Sequence, residues 1–328
     1  MENIEKRELG RSGLTTAPLA FGGNIFGWTV DEKRSFELLD AFSAAGFDLI
    51  DTADAYSNWV PGNKGGESET IIGNWVKTRG NRDRVIIATK VGAGQGKDRR
   101  DLSKEHIIRS AEDSLRRLQT DHIDLYQSHW DDNVTPVDET LEAYSRLVKD
   151  GKVRAIGASN LSAERLLESL ASSKTNGFPA YQTLQPLYNL YDREQYETEF
   201  EKICLENSIG VISYYSLASG FLSGKYRSES DLDKSPRGTG VARYLDERGK
   251  RILSELDEAA SKYETTPASI AIAWLIARTS ITAPIASATT VEQLDSLIAA
   301  TRLKLSEESI SRLNDASSYE ITASKTSE

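Results

Sequence analysis

Short apolar segments alternate with longer amphipathic stretches eight times along this sequence. The apolar segments lie at residues 18–23, 47–54, 84–92, 122–129, 152–160, 180–189, 210–217 and 281–288. Between them, apolar residues recur at helical spacing, most clearly over 104–118. Strands that alternate with helical patterns of this length pair in parallel. Eight such units over 328 residues favour a closed barrel, and no GxGxxG turn, typical of an open dinucleotide-binding sheet, follows the first strand. The sequence therefore predicts an α/β fold, a (β/α)₈ TIM barrel.

Two additions to the barrel are predicted. Residues 6–18 have the pattern of a short N-terminal β-hairpin that closes the barrel floor. Residues 251–263 and 267–278 predict two helices near the C-terminus where one would suffice. Because no linker and no repeat interrupts the pattern, we expect a single domain over 1–328. The Ser-, Thr-, Lys- and Glu-rich residues 318–328 predict a flexible tail.

Charge and composition exclude several classes of protein. A formal net charge of −10 argues against a nucleic-acid surface, which needs a clustered basic face. The only basic run, KDRR at 97–100, is interpreted as a solvated loop. No apolar run approaches the ~18 residues of a membrane span. The single cysteine, Cys204, is expected to be buried and fits a reducing cytoplasm. Three histidines without an HxH or HExxH pattern predict no catalytic metal.

Four reactive side chains follow three successive predicted strands. Asp51 ends the second strand with Tyr56 just beyond it, Lys90 ends the third and His129 the fourth. The carboxyl ends of barrel strands meet at one face, so we expect these groups to converge there. A carbonyl that accepts a hydride needs a proton donor, and a nearby ammonium would lower the pKa of a tyrosine. Lys90 is expected to do this for Tyr56, with Asp51 orienting the lysine and His129 binding the substrate oxygen.

Several motifs resemble aldo-keto reductases in order and spacing. They are FDLIDTADAYSN, VIIATKVG, IDLYQSHW, GKVRAIGASN, the LQP of strand six and SLASGFLSGKY. The resemblance runs from about Leu9 to Leu313, and the segment GGESETIIGNW is similar to the longer bacterial and potassium-channel β-subunit-like branch. It implies a nicotinamide-dependent oxidoreductase that reduces aldehydes or ketones, or oxidises the matching alcohol or sugar. By this resemblance the catalytic tetrad is Asp51, Tyr56, Lys90 and His129, with Tyr56 as the general acid and base.

The same resemblance implies NADP(H), possibly NAD(H), as the cofactor. The implied cofactor-binding residues are Gly22, Asp51, Ser159, Asn160, Gln185, Tyr214, Ser216, Leu217, Gly220, Leu222, Gly224, Lys225, Ser287, Thr289 and Gln293. In this assignment Ser159, Asn160 and Gln185 bind the nicotinamide carboxamide and Tyr214 stacks on its ring. The loop 216–225 passes over the pyrophosphate, and strand eight approaches the adenosine 2′-phosphate.

The chain departs from the family at three places near the cofactor. Tyr215 puts a bulky ring where relatives carry a small residue, Ser287 stands without the lysine that binds a phosphate, and Ser296–Leu297 replace a Glu-Asn pair. Neutral donors bind a phosphate more weakly than charged ones. We therefore expect NADPH to be favoured only modestly and NADH to be usable. A strong preference for NADPH would instead point to an arginine of the loop after strand seven: Arg227, Arg237 or Arg243.

The substrate pocket is predicted from residues near the tetrad. They are Asn24, Trp28, Trp59 and Trp130, which suit a small-molecule carbonyl compound or a sugar. Two other functions remain open at this point. One is a nicotinamide-binding regulatory subunit resembling potassium-channel β subunits. The other is a barrel lyase in which Lys90 forms a Schiff base. The oligomeric state is not predicted.

Overall fold

The structure is a computed structural model that describes residues 4–94 and 100–319. Its strands are β1 (Arg7–Glu8), β2 (Thr15–Thr16), β3 (Ala20–Gly22), β4 (Leu49–Asp51), β5 (Ile86–Val91), β6 (Ile123–Ser128), β7 (Val153–Ser159), β8 (Thr183–Gln185), β9 (Gly210–Val211) and β10 (Ile285–Ala286). Its α-helices are α1 (Glu32–Ala44), α2 (Glu67–Arg79), α3 (Lys104–Leu118), α4 (Val137–Lys149), α5 (Ala163–Asn176), α6 (Glu201–Asn207), α7 (Glu247–Lys262), α8 (Pro267–Ala277), α9 (Val291–Ala300) and α10 (Glu307–Ala316). No helix within these residues is long and apolar enough to cross a membrane.

Strands β3 to β10 form one parallel sheet in the order β10-β3-β4-β5-β6-β7-β8-β9. Its two ends are joined by backbone hydrogen bonds, from Thr282 N to Val211 O (2.9 Å) and from Ile285 N to Ser213 O (2.8 Å). These bonds close the sheet, and the predicted (β/α)₈ barrel is confirmed. Each strand lies inside its predicted apolar segment, although β8, β9 and β10 form only two or three ladder residues each.

The predicted hairpin, β1 paired antiparallel with β2, lies across the amino-terminal ends of the barrel strands. Leu9 and Leu14 pack into the apolar cluster that fills the barrel interior. At the turn, Gly10 has φ +61°, and a Cβ there would lie 2.1 Å from the carbonyl oxygen of Gln182. Only glycine allows this approach. The hairpin therefore closes the barrel floor, as predicted.

A larger apolar cluster lies between the strands and the surrounding helices. The predicted helices form because their apolar faces pack on it and their first turns are capped. Ser162 Oγ accepts from Arg165 N at the start of α5, and Thr290 Oγ1 accepts from Gln293 N at the start of α9. Cys204 lies buried in this cluster.

Two parts of the C-terminal half differ from the sequence pattern. Helix α10 was not predicted, because its sequence is mostly polar and Ile310 and Leu313 are its two large apolar residues that pack on the core. The long polar loop expected after β9 contains three short 3₁₀ turns, at Ala218–Ser223, Glu229–Lys234 and Gly238–Tyr244. The first and third turns bury Phe221 and Val241, whereas the second has no buried residue and is capped by Ser228 and Asp231. The predicted pair of helices, α7 and α8, is confirmed. Apart from Ser318 and Tyr319, the predicted tail lies outside the described residues.

Candidate active site

The four predicted catalytic residues meet at the carboxyl ends of β4, β5 and β6. Lys90 Nζ donates to Asp51 Oδ2 (2.8 Å) and to Tyr56 Oη (2.7 Å). Tyr56, in the turn after β4, donates to the same Asp51 oxygen at 3.1 Å. The ring of His129, which follows β6, lies 5.9 Å from the Tyr56 ring, edge to face. The structure thus brings all four side chains into one cluster.

The ammonium of Lys90 is fully buried, and three acceptors surround it. Besides Asp51 and Tyr56, it donates to the carbonyl oxygen of Thr52 at 2.8 Å. Burial lowers the pKa of Lys90 from its ordinary value, and the carboxylate of Asp51 opposes this effect. Three acceptors match the three N–H groups of an ammonium. The geometry is therefore that of a buried ammonium with all three N–H groups hydrogen-bonded.

The predicted lowering of the Tyr56 pKa is wrong in direction. Burial raises the pKa of Tyr56 well above its ordinary value, and the negative charge of Asp51 raises it further. The expectation considered only the ammonium of Lys90, because neither burial nor the carboxylate contact can be read from spacing. Tyr56 is consequently a neutral phenol at physiological pH.

His129 is also neutral in this environment. Burial lowers the pKa of His129 well below its ordinary value, and the positive charges of Lys90 and Arg100 lower it further. Its Nδ1 atom is buried and has no hydrogen-bond partner within the described residues. A neutral imidazole has one donor and one acceptor nitrogen, so the ring is able to hydrogen-bond a polar ligand atom.

The residues assigned to the nicotinamide lie on the neighbouring strands β7 to β9. Gln185 Nε2 donates to Asp51 Oδ1 at 2.8 Å, and Ser159 Oγ donates to the Gln185 carbonyl oxygen at 2.8 Å. Asn160, at φ +50°, accepts from Tyr214 Oη at 2.9 Å. Gln185 thus contacts a tetrad side chain directly, and Asn160 Nδ2 donates to the backbone carbonyl oxygen of His129 at 2.9 Å. The structure therefore places them beside the four predicted catalytic residues.

The side chains of the loop after β9 differ in whether they are free to contact the predicted cofactor. Ser216 is buried and its Oγ donates to the Ser213 carbonyl oxygen, while Leu222 is fully buried in the core. These two side chains face the protein, so only their backbone groups remain for a ligand. Gly220 and Gly224 have φ +95° and +78°, conformations that favour glycine. Leu217 is partly buried and Lys225 is exposed.

The residues assigned to the adenosine end lie together at β3, β10 and the start of α9. Ser287 Oγ lies 2.7 Å from the Gly22 carbonyl oxygen and 3.0 Å from Asn24 Oδ1. Gln293 Oε1 accepts from the backbone N of Thr289 (2.9 Å) and from its hydroxyl (3.1 Å). Asn24 is thus tied to the strand-eight residues rather than directly to the tetrad.

The three predicted tryptophans flank the tetrad on two sides. Trp59 lies 6.3 Å from the Tyr56 ring and 5.6 Å from the Trp28 ring, while Trp130 lies 6.4 Å from the His129 ring. Trp59 is 48% exposed, an unusual value for so large an apolar side chain. Together these rings form aromatic walls around the catalytic cluster.

Two arginines at these walls have a place that the sequence did not reveal. The guanidinium carbon of Arg237 lies 5.2 Å from the centre of the Trp28 ring, and that of Arg100 lies 4.2 Å from the centre of the Trp130 ring. The prediction of a solvated loop is wrong for Arg100, whose Nε is buried; residues 97–99 lie outside the described residues. Spacing gives no signal for Arg100, because the path of its loop determines the contact.

Comparison with known proteins agrees with this geometry. The model of the "Aldo/keto reductase family" matches residues 18–318. The chain is 37% identical over 321 residues to "Uncharacterized oxidoreductase YrpG" of Bacillus subtilis, covering 95% of each chain. It is 36% identical over 275 residues to "Aldo-keto reductase YhdN" of the same organism, covering 82% of this chain and 78% of that one. A rice protein, "Probable voltage-gated potassium channel subunit beta", is 30% identical over 89% of both chains. The chain belongs to the aldo/keto reductase family and is an oxidoreductase.

Proposed function

We propose that this protein is an NAD(P)H-dependent carbonyl reductase in which Tyr56 is the general acid and base. The observation that carries the proposal is the position of Lys90, whose ammonium contacts both the carboxylate of Asp51 and the hydroxyl of Tyr56. A phenol held against a buried cation is able to release its proton as negative charge develops on a carbonyl oxygen. We further propose that residues 1–328 form one domain.

Each member of the tetrad has a separate task in this mechanism. When bound, the cofactor supplies the hydride for reduction, or accepts it for oxidation. Tyr56 donates its proton to the carbonyl oxygen, and Lys90 stabilises the phenolate that this leaves. Asp51 keeps Lys90 charged and oriented. His129, neutral at physiological pH, hydrogen-bonds the substrate oxygen and sets its angle to Tyr56.

The residues of this site fit a nicotinamide dinucleotide. Two buried polar atoms at the site, His129 Nδ1 and Arg237 Nη2, have no hydrogen-bond partner within residues 4–94 and 100–319. Buried polar groups are normally hydrogen-bonded, so both atoms indicate positions for ligand oxygens. Ser159, Asn160 and Gln185 would hold the carboxamide, with Tyr214 on the ring. Gly22, the loop residues from Ser216 to Lys225, and Ser287, Thr289 and Gln293 would hold the phosphates and the adenosine.

Among the three arginines of the loop after β9, Arg237 is the best placed for a phosphate. Arg227 is held by both carboxylate oxygens of Asp257 at 2.8 Å, and Arg243 lies 3.2 Å from Asp192 Oδ2. Arg237 Nη2 is buried and has no hydrogen-bond partner within the described residues. If Arg237 contacts the pyrophosphate, which NADPH and NADH share, it would strengthen the binding of both cofactors equally. We therefore propose a modest preference for NADPH with NADH usable.

The test is to follow nicotinamide absorbance with NADPH and with NADH against aldehydes, ketoses and sugars. We expect turnover with both cofactors and higher kcat/KM with NADPH. Gln293→Arg should raise the NADPH/NADH ratio of kcat/KM by about tenfold, equivalent to about 1.4 kcal/mol. Absence of turnover with every carbonyl compound and both cofactors would refute the reductase. A wild-type preference for NADPH above about a thousandfold would refute the modest discrimination proposed for neutral donors.

The channel-subunit name of the rice relative motivates a second candidate function, a nicotinamide-binding regulatory subunit. Tight binding of NADP(H) without turnover of any carbonyl compound would favour it. The Schiff-base lyase is disfavoured by geometry, since a nucleophilic Lys90 would have to give up its contacts with Asp51, Thr52 and Tyr56. Borohydride trapping with substrate should accordingly leave Lys90 unmodified.

A further inference from the structure

Arg100 lies beside Trp130, on the His129 side of the catalytic cluster. Its guanidinium lies over the Trp130 ring at 4.2 Å, and Nη1 donates to the Asp131 carbonyl oxygen at 3.4 Å. The stacked Trp130 ring in turn lies 6.4 Å from the His129 ring at an interplanar angle of 25°. Stacking of this kind fixes a guanidinium plane while leaving its edge able to donate hydrogen bonds.

The positive charge of Arg100 has no carboxylate partner within the described residues, although three carboxylates are close in the fold. Asp101 accepts from Ser103 N, and Asp131 lies 3.1 Å from Arg165 Nε. Asp132 accepts from Leu102 N and from Thr135. Arg100 Nε is buried and unpaired within residues 4–94 and 100–319. A partly desolvated, unmatched cation is costly unless an anion binds it.

The order of the strands separates this cation from the proposed phosphate sites. The loop over the pyrophosphate follows β9, and the adenosine residues follow β10. Arg100 follows β5 and Trp130 follows β6. In the closed order β10-β3-β4-β5-β6-β7-β8-β9, the pair β5–β6 is diametrically opposite the pair β9–β10. Arg100 therefore faces the substrate side of the catalytic cluster rather than the cofactor phosphates.

We infer that Arg100 is a specificity-determining residue that binds the anionic group, a carboxylate or a phosphate, of an aldehyde or ketone substrate. This inference names the substrate class of the reductase proposed above and rests on it. The substrate carbonyl lies between Tyr56 and His129, and its anionic end lies along the Trp130 wall. Charge-assisted hydrogen bonds from a guanidinium to a carboxylate or phosphate provide the affinity. Because the chain has a net charge of −10, this local cation also orients the substrate so that its anionic end binds along Trp130.

The experiment compares matched anionic and neutral substrates. One pair is para-formylbenzoate and its methyl ester, and the other is glyceraldehyde phosphate and glyceraldehyde. Arg100→Met removes the charge and keeps an apolar stem over Trp130. Arg116→Met, in the exposed ion pair with Asp113 on α3, is the matched control. We expect Arg100→Met to lower the anionic-to-neutral ratio of kcat/KM by about tenfold in at least one pair, with the ratio unchanged in Arg116→Met. The responding pair identifies carboxylate or phosphate.

Equal losses on the anionic and the neutral member of both pairs would overturn the inference, because Arg100 would then only support Trp130. An unchanged ratio in both pairs would also overturn it. A binding measurement keeps the test independent of turnover. Quenching of tryptophan fluorescence by para-hydroxymethylbenzoate and by its methyl ester should show about tenfold weaker binding of the acid alone in Arg100→Met. If no carbonyl compound is turned over, the reductase fails, while this measurement still decides whether Arg100 binds an anion.

Discussion

The ion pair of Lys90 and Asp51 allows catalysis and stability to be separated. Both side chains are buried, with at most 2% of either residue exposed. Replacing Lys90 with Met leaves the carboxylate of Asp51 inside the protein without its counter-charge. Breaking a buried pair in this way typically costs about 3–5 kcal/mol. Asp51 keeps hydrogen bonds from Gln185 (2.8 Å) and Tyr56 (3.1 Å), so we expect the lower end of that range, about 3 kcal/mol.

The double variant Asp51→Asn/Lys90→Met removes both charges. It still loses the donor to the Thr52 carbonyl oxygen, which costs about 1 kcal/mol. We therefore expect the double variant to be about 2 kcal/mol more stable than Lys90→Met alone, although neither regains activity.

Urea unfolding at equilibrium, followed by circular dichroism, measures these differences, and an unchanged dependence on urea concentration confirms that the same transition is compared. If the double variant is no more stable than Lys90→Met, the carboxylate is not the source of the loss. If Lys90→Met alone is as stable as the wild type, the two groups do not form a coupled buried pair.

Three further variants test the site. Tyr56→Phe deletes the proton donor and keeps the ring, so kcat should fall by roughly 10²–10⁴-fold with cofactor affinity nearly unchanged; near-normal turnover would exclude Tyr56 as the acid. Tyr214→Ala should weaken nicotinamide binding by roughly 0.5–1.5 kcal/mol beyond the area lost, measured by fluorescence titration, and unaltered affinity would place the stacking ring elsewhere. Burial, and then the charge of Glu69, raise the pKa of Asp54 from 3.8 to about 7, so ionisation of this carboxyl destabilises the folded state as pH rises between those values. Asp54→Asn should therefore stabilise the protein more at pH of about 8 than at about 5 in urea unfolding, and a pH-independent difference would contradict the assignment.

The barrel was predictable because its signal is local and repeated. Each strand and its following helix have their own period, and eight repetitions leave little choice of architecture. Helix α10 was missed because its sequence is mostly polar and only two of its large apolar side chains, Ile310 and Leu313, signal a buried face. For short strands such as β9, the position was predicted from the sequence but the first and last residues were not. Their apolar segments extend past the last ladder bond into turns, and only the neighbouring strand fixes where the ladder ends.

The convergence of Asp51, Tyr56, Lys90 and His129 was predictable, since parallel strands bring their carboxyl ends to one face. The contacts of these residues to other loops were not. Trp130 was found because it adjoins His129 in sequence, whereas the cation stacked on it comes from the preceding βα loop, thirty positions away by the numbering. A loop's path depends on its own side chains and on the carboxylates available to it. Asp101, Asp131 and Asp132 all bind elsewhere, and this pattern is visible only in three dimensions.

The raised pKa of Tyr56 agrees with the proposed role of this residue as the acid in reduction. A tyrosine whose pKa fell toward neutrality would lose its proton to solvent before a substrate bound. Burial and Asp51 instead raise the pKa of Tyr56, so the proton is retained. An alkoxide is much more basic than a phenolate, so the transfer becomes favourable once the carbonyl oxygen gains charge. Lys90, at 2.7 Å, then faces a full negative charge on Tyr56 in place of a dipole, and this interaction is stronger in the transition state than in the ground state. In the proposed mechanism, the buried cation therefore stabilises the phenolate as the proton leaves, while burial and Asp51 keep the resting pKa of Tyr56 above its ordinary value.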